Sequence, residues 1–524
     1  MKHRRLIAIA ALVMVVLTLA GCAPNQQSPA VTLTPAATAS PIPSETLPLV
    51  PSVSAAPVPD AAAPKYVFLF IGDGMSLAQI NAAQYFSGSD RPGDIRPGRI
   101  SFAQFPVTGI VSNDNENSVI PDSASSGTAI ACGVRTKTGM LGVTADGKSA
   151  PSVAELAHAA GKKVGIVSSV TLNNATPAAF YAHTGSRTDY AEIARQMADS
   201  GFEYFGGGGI YTKSEKDNIS KDYKLFEDAG YAIADTRAEI EALSSGSGKV
   251  YAVSPGLAKL GALPFAIDAK EGDMTLADFV SAGIRVLDNE NGFFMMCEGG
   301  KIDWSCHAND AATTVREVLA FADAVQVAVD FADAHPGETL IVVTADHETG
   351  GMSVGYAATA YETDLALLKH QKVSYSLFKD IAAGMLMDNP ELSLDGMMPL
   401  IGQYFGLYPK SAASKAESEA LVLSGREYGL IEDAFAATKS GGSGDEWTDL
   451  LYGSYDPLTV TLTRILANKA GVGWTTYAHT GLPVPVYATG AGAELMGGSY
   501  HNTELFGRLV QALGLEADPQ RAAS

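Results

Sequence analysis

The chain has 524 residues, of which 46% are hydrophobic and 18% charged, so most of it can bury a large core and disorder is excluded for the bulk of the sequence. Its 36 Lys and Arg residues stand against 57 Asp and Glu, a formal net charge of −21 without a basic cluster, which argues against a nucleic-acid partner. At first sight the same acidity argues against an anionic substrate. Four cysteines are too few for a disulfide-built scaffold, and their spacing fits no zinc finger.

Residues 1–21 are predicted to be a lipoprotein signal peptide. Three basic residues among the first five precede an apolar run over residues 6–20, which is shorter than the roughly 20 residues that a membrane-spanning helix needs. The run ends in Leu19-Ala20-Gly21-Cys22, which resembles the lipobox of bacterial lipoproteins. We therefore expect an exported protein, periplasmic or at the cell surface, that is anchored to the membrane through a lipidated Cys22. An ordinary signal peptide with an incidental cysteine is the alternative.

Residues 22–64 are rich in Pro, Ala, Ser and Thr and carry few charges. Such a composition cannot bury enough apolar surface to offset the entropy of ordering, so it predicts a disordered tether. The folded part is expected over residues 65–515, with a C-terminal tail at 516–524.

Short apolar runs without polar alternation predict fully buried strands at 66–71, 163–168, 293–297 and 339–344, with a final strand at 484–488. Helical periodicity appears at 152–160, 311–334 and 504–513. Strands that alternate with helices predict an α/β fold, a three-layer sandwich with a mostly parallel central sheet. Residues 348–478 are expected to form a helical insertion packed beside that sheet.

Acidic residues stand at the carboxyl ends of three predicted strands, where parallel sheets bind their ligands. They are Asp73, Glu298 and the Asp346-His347 pair. Each one alone is best explained as a helix cap or a turn residue. Three carboxylates at one sheet edge would repel one another unless cations lay between them, so the set favours a metal site.

Further candidate ligands can be identified by spacing. Asp303 and His307 are four residues apart and lie on one face if the segment is helical. A zinc site needs an additional histidine, for which His479, near the final strand, is the best candidate. The other histidines of the folded part are expected to be structural or exposed: His158, His183, His335, His370 and His501.

The segment 121–129 offers a candidate nucleophile. Asp122 can cap a helix there, which would place Ser123 at the helix N-terminus, where an anion is stabilised. A helix cap without any chemistry is the alternative. The chain has no Gly-x-Ser-x-Gly elbow, so a Ser-His-Asp hydrolase has weak support, and activation of Ser123 would fall to a metal ion.

Six groups of residues, in the same order along the chain, resemble the motifs of alkaline phosphatases. They are IGDGM at 71–75, DSA at 122–124 with the helix through Gly133, ATPAA at 175–179 with Arg187, EGGxIDxxxH at 298–307, TADH at 344–347 and HTG at 479–481. The resemblance covers about residues 65–515. It implies an alkaline-phosphatase-like catalytic domain that hydrolyses small-molecule phosphomonoesters through a phosphoserine intermediate.

The resemblance also implies two Zn²⁺ and one Mg²⁺ per chain. It assigns the ligands as Asp303, His307 and His479 for the first zinc, Asp73, Asp346 and His347 for the second, and Asp73, Thr176 and Glu298 for magnesium. Ser123 is implied as the nucleophile and Arg187 as the side chain that binds two phosphoryl oxygens. Relatives are often homodimers, so a second copy of the chain is an expected partner.

Some positions depart from the family pattern or vary within it. Asn174 stands where many members have Asp or His beside the magnesium site, which puts the third metal in question. Trp304 occupies a position that is Lys or His in some relatives. Cys297 and Cys306 flank the ligand segment and are expected either as a disulfide or as two buried thiols.

The sequence leaves alternatives to phosphomonoester hydrolysis open. Within the same superfamily these are a phosphodiesterase, a phosphoglycerate mutase or a sulfatase, and a sulfatase needs a Cys/Ser-x-Pro-x-Arg context that the residues after Ser123 lack. In another class, a non-catalytic surface lipoprotein stabilised by metal would be indicated by loss of the nucleophile or of a zinc ligand. Neither is lost.

Overall fold

The computed structural model describes residues 63–91, 93–211, 223–441 and 446–515. The expected signal peptide with Cys22, all but the last two residues of the expected tether and the expected C-terminal tail lie outside the described residues. Within the described part of the chain, no helix is both long and apolar enough to cross a membrane.

The described residues form fourteen strands. They are β1 (Tyr66–Ile71), β2 (Val107–Ser112), β3 (Lys163–Ser168), β4 (Tyr204–Gly207), β5 (Ala232–Ala234), β6 (Val250–Val253), β7 (Phe293–Glu298), β8 (Thr339–Thr344), β9 (Glu348–Thr349), β10 (Ser353–Val354), β11 (Val472–Gly473), β12 (His479–Thr480), β13 (Val484–Gly490) and β14 (Gly498–His501).

The same residues form sixteen α-helices. They are α1 (Leu77–Gly88), α2 (Ser123–Cys132), α3 (Val153–Ala159), α4 (Ala175–Ala178), α5 (Tyr190–Asp199), α6 (Tyr223–Asp228), α7 (Arg237–Glu241), α8 (Leu276–Leu287), α9 (Lys301–His307), α10 (Ala311–Ala334), α11 (Tyr375–Asp388), α12 (Leu394–Phe405), α13 (Gly425–Lys439), α14 (Glu446–Tyr452), α15 (Pro457–Lys469) and α16 (Thr503–Ala512).

Ten strands form one central sheet in the order β14-β2-β13-β8-β1-β7-β3-β4-β6-β5. Every neighbouring pair is parallel except the two that involve β13, which runs against both β8 and β2. The remaining described strands form two small antiparallel ladders, β10 with β11 and β9 with β12. The prediction of an α/β fold with a mostly parallel sheet is confirmed.

The centre of the sheet is apolar because strands covered on both faces have no side that solvent can reach. All six residues of β1 and of β8 are buried, and both strands have the bounds that their apolar runs predicted. β7 is one residue longer than predicted because Glu298 is its last paired residue, opposite Ile71. α10 begins and ends where its periodicity predicted.

Adjacent aromatic residues of β7 show that both faces of the sheet are covered, since successive side chains of a strand point to opposite sides. The Phe293 ring lies 5.7 Å from the Phe331 ring of α10. The Phe294 ring lies 6.5 Å from Phe180, which follows α4. Helices therefore pack on both sides of one sheet, as a three-layer sandwich requires.

The segment expected as a helical insertion contains α11 to α15, with α13 packed on α15 and α15 against α10. It is not entirely helical, because β9 and β10 lie at its start and β11 near its end. β9 pairs with β12, with His479 opposite Thr349. This short ladder holds His479 beside the sheet edge at which β8 ends.

The three described cysteines, Cys132, Cys297 and Cys306, are buried and are not disulfide-bonded. Of the two states expected for Cys297 and Cys306, the structure has the pair of thiols. Cys306 Sγ lies 3.9 Å from Gln79 Nε2 and 3.7 Å from Thr314 Oγ1.

Candidate active site

Three adjacent parallel strands bring the predicted strand-end carboxylates to one edge of the sheet. β1 lies between β7 and β8, and Ile71 is level with both Glu298 and Thr344. Asp73 and Asp346 each lie two residues beyond their strands. Gly74 then turns the chain with φ +72°, where a Cβ would lie 2.8 Å from Thr349 Oγ1. A side chain at this turn would therefore push apart the segments that carry the acidic residues.

Asp303, His307 and His479 form the first cluster. Asp303 and His307 lie one turn apart in α9, and His479 is the first residue of β12. His307 Nε2 is 3.3 Å from Asp303 Oδ1 and 3.1 Å from His479 Nε2, while His479 Nε2 is 3.7 Å from Asp303 Oδ1. The structure thus brings together three residues from two distant parts of the sequence.

His347 is at the centre of the second cluster. Its Nε2 lies 3.1 Å from Asp346 Oδ2 and 3.6 Å from Asp73 Oδ1. Asp303 also belongs to this group, because Asp73, Asp303 and His347 each offer a ligand atom within 4.8 Å of the others. Asp303 is therefore within reach of both clusters, which its sequence position did not indicate.

The hydrogen bonds fix the tautomer of all three histidines. His307 Nδ1 lies 2.6 Å from the Tyr477 carbonyl and His479 Nδ1 lies 2.8 Å from the Pro121 carbonyl, and a carbonyl can only accept. His347 Nδ1 lies 3.2 Å from Thr349 Oγ1, whose own hydrogen is donated to an Asp303 carboxylate oxygen at 2.6 Å. In the neutral form of each ring the proton therefore lies on Nδ1, and Nε2 is the atom that faces the clusters and can bind a cation.

The donor set fits divalent cations. Asp73 Oδ1 and Asp346 Oδ2 are buried and have no hydrogen-bond donor among the described residues. Together with the Nε2 atoms of His307, His347 and His479 they form a group of potential ligand atoms that face one another. Carboxylate oxygens and neutral imidazole nitrogens are zinc ligands, so cations at these positions would replace repulsion with coordination.

The pKa shifts of the protein alone report the same conflict. Burial, followed by the charges of Asp346 and Asp303, raises the pKa of Asp73 well above its usual range. Burial also raises the pKa of Glu298 to about 7. Burial and the neighbouring His347 lower the pKa of His479 to about 4. These carboxylates are therefore too crowded to ionise together unless positive charge is added. Without cations, part of that charge is a proton on His307, because, against the opposing effect of burial, Asp303 raises the pKa of this histidine to about 9.

A third group lies beside the second cluster. Thr176 Oγ1, at the start of α4, donates to Asp73 Oδ2 at 3.2 Å. Glu298 is buried and accepts a short hydrogen bond from the hydroxyl of Ser168, the last residue of β3. Asn174 caps α4, with its Oδ1 2.7 Å from the Ala175 amide. A neutral amide thus stands beside this group.

Ser123 is the first residue of α2 and lies at the edge of the second cluster. Asp122 supplies the helix cap by accepting from the Ser125 amide at 3.0 Å, so the Ser123 hydroxyl is not needed for capping. Its Oγ lies 3.1 Å from His347 Nε2. The cap of α2 is therefore Asp122, and Ser123 takes no part in the capping.

Arg187 is oriented from two sides. Its Nη1 donates to Asp122 Oδ2 at 3.1 Å and its Nη2 donates to Asn174 Oδ1 at 3.3 Å. Burial opposes ionisation of Asp122, but the charge of Arg187 and hydrogen bonds from Ser125 hold the pKa of that carboxyl below its usual range. The guanidinium side chain remains 30% exposed, which leaves donors for an anion next to Ser123.

Sequence reasoning missed three buried polar residues of this region: Ser168, Glu348 and Thr349. Glu348 and Thr349 directly follow the Asp346-His347 pair, and two more polar residues in a buried segment were the available signal. Trp304, between Asp303 and the end of α9, is half-buried, with Lys301 Nζ 5.1 Å from its ring centroid. The five histidines expected to be structural or exposed belong to neither cluster.

Comparisons with known proteins agree on one family. The family model for alkaline phosphatase matches residues 64–515. Alkaline phosphatase 4 of Bacillus subtilis is 32% identical over 452 residues, which cover 84% of this chain and 86% of that protein. The structure of a cold-active alkaline phosphatase from Shewanella sp. has a TM-score of 0.70 and 28% identity, covering 86% of this chain and 99% of that one.

A further solved structure that matches this chain is described as containing a bound metal ion. It is a variant of the alkaline phosphatase from the Antarctic bacterium TAB5, described as having Mg bound in the M3 site. It has a TM-score of 0.58 and 25% identity, and the match covers 87% of this chain and 99% of that chain.

Removal of divalent cations should destabilise the protein, because the clustered acceptors then repel one another. We expect a chelator to lower the Tm by several degrees and added Zn²⁺ to restore it, since a ligand bound at 100 times its Kd stabilises by about 2.7 kcal/mol. Calorimetry before and after reloading would measure this. His335→Ala, which alters a histidine outside the clusters, is the control and should keep the response. An identical Tm with and without metal would contradict the assignment.

Proposed function

This chain belongs to the alkaline phosphatase family, whose members hydrolyse phosphomonoesters, and we propose that it does so through a phosphoserine intermediate on Ser123. The observation that carries the proposal is the position of Ser123 Oγ, 3.1 Å from His347 Nε2, while Arg187 is bound to the preceding residue, Asp122. A hydroxyl between a cation-binding cluster and a guanidinium can attack an anionic phosphoryl group.

The proposed cofactors are two Zn²⁺ and one Mg²⁺. The first zinc would be held by Asp303, His307 and His479, the second by Asp73, Asp346 and His347, and magnesium by Asp73, Thr176 and Glu298. The first cluster supports the assignment of the first zinc. The short distances from His347 Nε2 to Asp73 Oδ1 and Asp346 Oδ2 support the second, and the TAB5 variant with Mg in its M3 site supports a magnesium site by analogy. When bound, the zinc ions supply positive charge that stabilises an ionised Ser123 Oγ and the oxygen of the leaving alcohol.

The chain's own residues account for the steps. Arg187 binds two phosphoryl oxygens and holds phosphorus in line with Ser123. Ser123 gives up its hydroxyl proton to solvent, Oγ forms a bond to phosphorus, and the bond to the alcohol oxygen breaks while that oxygen takes a proton from solvent. Water then loses a proton and attacks the phosphoserine, the bond from phosphorus to Oγ breaks, and Ser123 Oγ takes up a proton as inorganic phosphate leaves. Because each displacement inverts phosphorus, the complete reaction proceeds with retention.

The acidity of the whole chain does not oppose an anionic substrate. Four acidic residues of the site (Asp73, Glu298, Asp303 and Asp346) are proposed metal ligands, and three divalent cations with Arg187 outweigh them. The site is then locally positive although the chain carries a formal charge of −21. The acidic surface bears on solubility instead.

The alternatives fit the site less well. The residues after Ser123 lack the Pro and Arg of a sulfatase context. A non-catalytic surface lipoprotein that captures phosphate could use Arg187, but it gives no role to the Ser123 hydroxyl at the second cluster. The combination of Glu298, Thr176 and Arg187 favours a phosphomonoesterase over a diesterase.

The proposed location is outside the cytoplasm, on a lipid anchor at Cys22, at the periplasmic face or the cell surface. The support is the order of basic, apolar and lipobox residues in 1–22, followed by the Pro-rich tether to residue 64. A homodimer is also proposed, because members of the family are often homodimers.

Ser123→Ala should abolish turnover of an aryl phosphate through the phosphoserine route while leaving the fold intact, because the hydroxyl is not a cap of α2. Steady-state rates would measure this, with the Tm and zinc content as folding controls. Ser152→Ala is a matched control, since Ser152 is a fully buried serine that caps α3. Wild-type turnover by the purified Ser123→Ala protein would refute the assignment of Ser123 as the nucleophile.

Arg187→Ala should weaken binding of the substrate and of inorganic phosphate by about 10- to 100-fold, since a hydrogen bond to a charged group contributes about 1.5–3 kcal/mol. The KM for an aryl phosphate and the inhibition constant for inorganic phosphate would report the loss, with little change in Tm. Arg195→Ala, which alters an exposed arginine in α5, should change neither constant. An unchanged inhibition constant in Arg187→Ala would contradict the proposal that Arg187 binds the phosphoryl oxygens.

A further inference from the structure

Glu348 is a fully buried carboxylate that directly follows the histidine of the second cluster. Its Oε1 accepts from Gln79 Nε2 at 2.8 Å and from the Met352 amide at 3.1 Å. Its Oε2 accepts from the Gly351 amide at 3.1 Å and a short hydrogen bond from the Thr480 hydroxyl. Four donors from three parts of the chain therefore converge on one carboxylate.

One of these bonds ties together the strands that carry two proposed ligands. Glu348 lies opposite Thr480 in the ladder of β9 and β12, and the neighbouring pair is Thr349 opposite His479. Each of these strands has only two residues, so their backbone pairing is limited. The side-chain bond between Glu348 and Thr480 adds a second link between the strand of His479 and the segment of His347.

A second bond reaches the segment that carries Asp73. Gln79 is fully buried near the start of α1, and its Oε1 accepts from the Ser76 amide at 3.0 Å, three residues beyond Asp73. Its Nε2 also donates to the Thr349 carbonyl at 3.1 Å. Glu348 is thus connected by hydrogen bonds to the chain segments of both clusters.

The positions of the ligand residues in the two clusters depend on such hydrogen bonds, because the ligand atoms lie close together. His307 Nε2 and His479 Nε2 lie only 3.1 Å apart, so a small shift of β12 changes the distance between two proposed ligand atoms. Hydrogen bonds behind metal ligands orient them, and their loss commonly costs about 10- to 100-fold in metal affinity.

We propose that Glu348 is a positioning residue of the metal site, which holds His479 and His347 at the separation that cation binding requires. It touches neither substrate nor cation and acts through Thr480 and through its own place next to His347. The proposal rests on the metal dependence in the proposed function.

The test is zinc affinity, measured by competition between the metal-free protein and a chromophoric chelator. Glu348→Gln keeps the size of the side chain but turns an NH₂ group towards one pair of donors, so we expect zinc binding to weaken tenfold or more. The visible spectrum of the Co²⁺-loaded variant should change as well, since it reports ligand geometry. A merely structural role would lower the Tm of the metal-free protein and leave both readouts unchanged.

Glu155→Gln is the matched control, since it makes the same substitution in a carboxylate that also accepts several hydrogen bonds. Glu155 accepts from the Ser152 amide at 2.6 Å and pairs with His183 Nε2 at 2.9 Å, in and around α3. Its zinc affinity should stay within twofold of wild type. An equal loss of affinity in both variants would reduce the effect to general destabilisation and overturn the proposal.

Thr480→Val tests the same link if Glu348→Gln does not fold, because it removes only the hydroxyl that β12 donates to Glu348. We expect zinc binding at least threefold weaker, and an unchanged affinity would overturn the proposal, as would a wild-type protein that binds no zinc. These readouts are independent of turnover. A zinc-binding wild type without phosphomonoesterase activity would refute the proposed function alone.

Discussion

The site is organised around repulsion between acceptors that the fold forces together. Three imidazole Nε2 atoms and two buried carboxylate oxygens without donors converge at the end of β1, β7 and β8. Groups of this kind separate or take up protons unless cations lie between them. The parallel sheet limits separation, and the hydrogen bonds from Nδ1 of each histidine leave Nε2 as the atom that takes up a proton or a cation. Protons on the histidines can satisfy part of the set. Divalent cations would satisfy all of it.

The position of this site follows from the architecture. β1 is buried between two parallel neighbours, so the chain must leave three adjacent strands at the same edge, and the first polar residues after each strand meet there. α2 and α9 begin at this edge, which places Ser123 and Asp303 beside the strand ends. The long segment between β8 and β13 returns through β12 and adds His479. With the proposed cations bound, a positive centre would be enclosed in an acidic protein.

Much of this could be predicted from the sequence, since continuous apolar runs such as YVFLFI at 66–71 indicate buried strands and the acids that follow them indicate the binding edge. The individual contacts between side chains could not be predicted in this way. The reach of Asp303 into both clusters depends on the angle at which α9 leaves β7, and the thiol state of Cys306 depends on what packs against it. Glu348 resembles an ordinary turn residue until the pairing of β9 with β12 shows what its carboxylate joins.

The most direct test of the account is anomalous diffraction at the zinc edge from crystals of the zinc-loaded protein. The account predicts one peak between His307 Nε2, His479 Nε2 and Asp303, and a second between His347 Nε2, Asp346 and Asp73, with a separation of roughly 4 Å. Absence of both peaks, with the His307 and His479 rings turned apart in metal-free and zinc-soaked crystals alike, would contradict it.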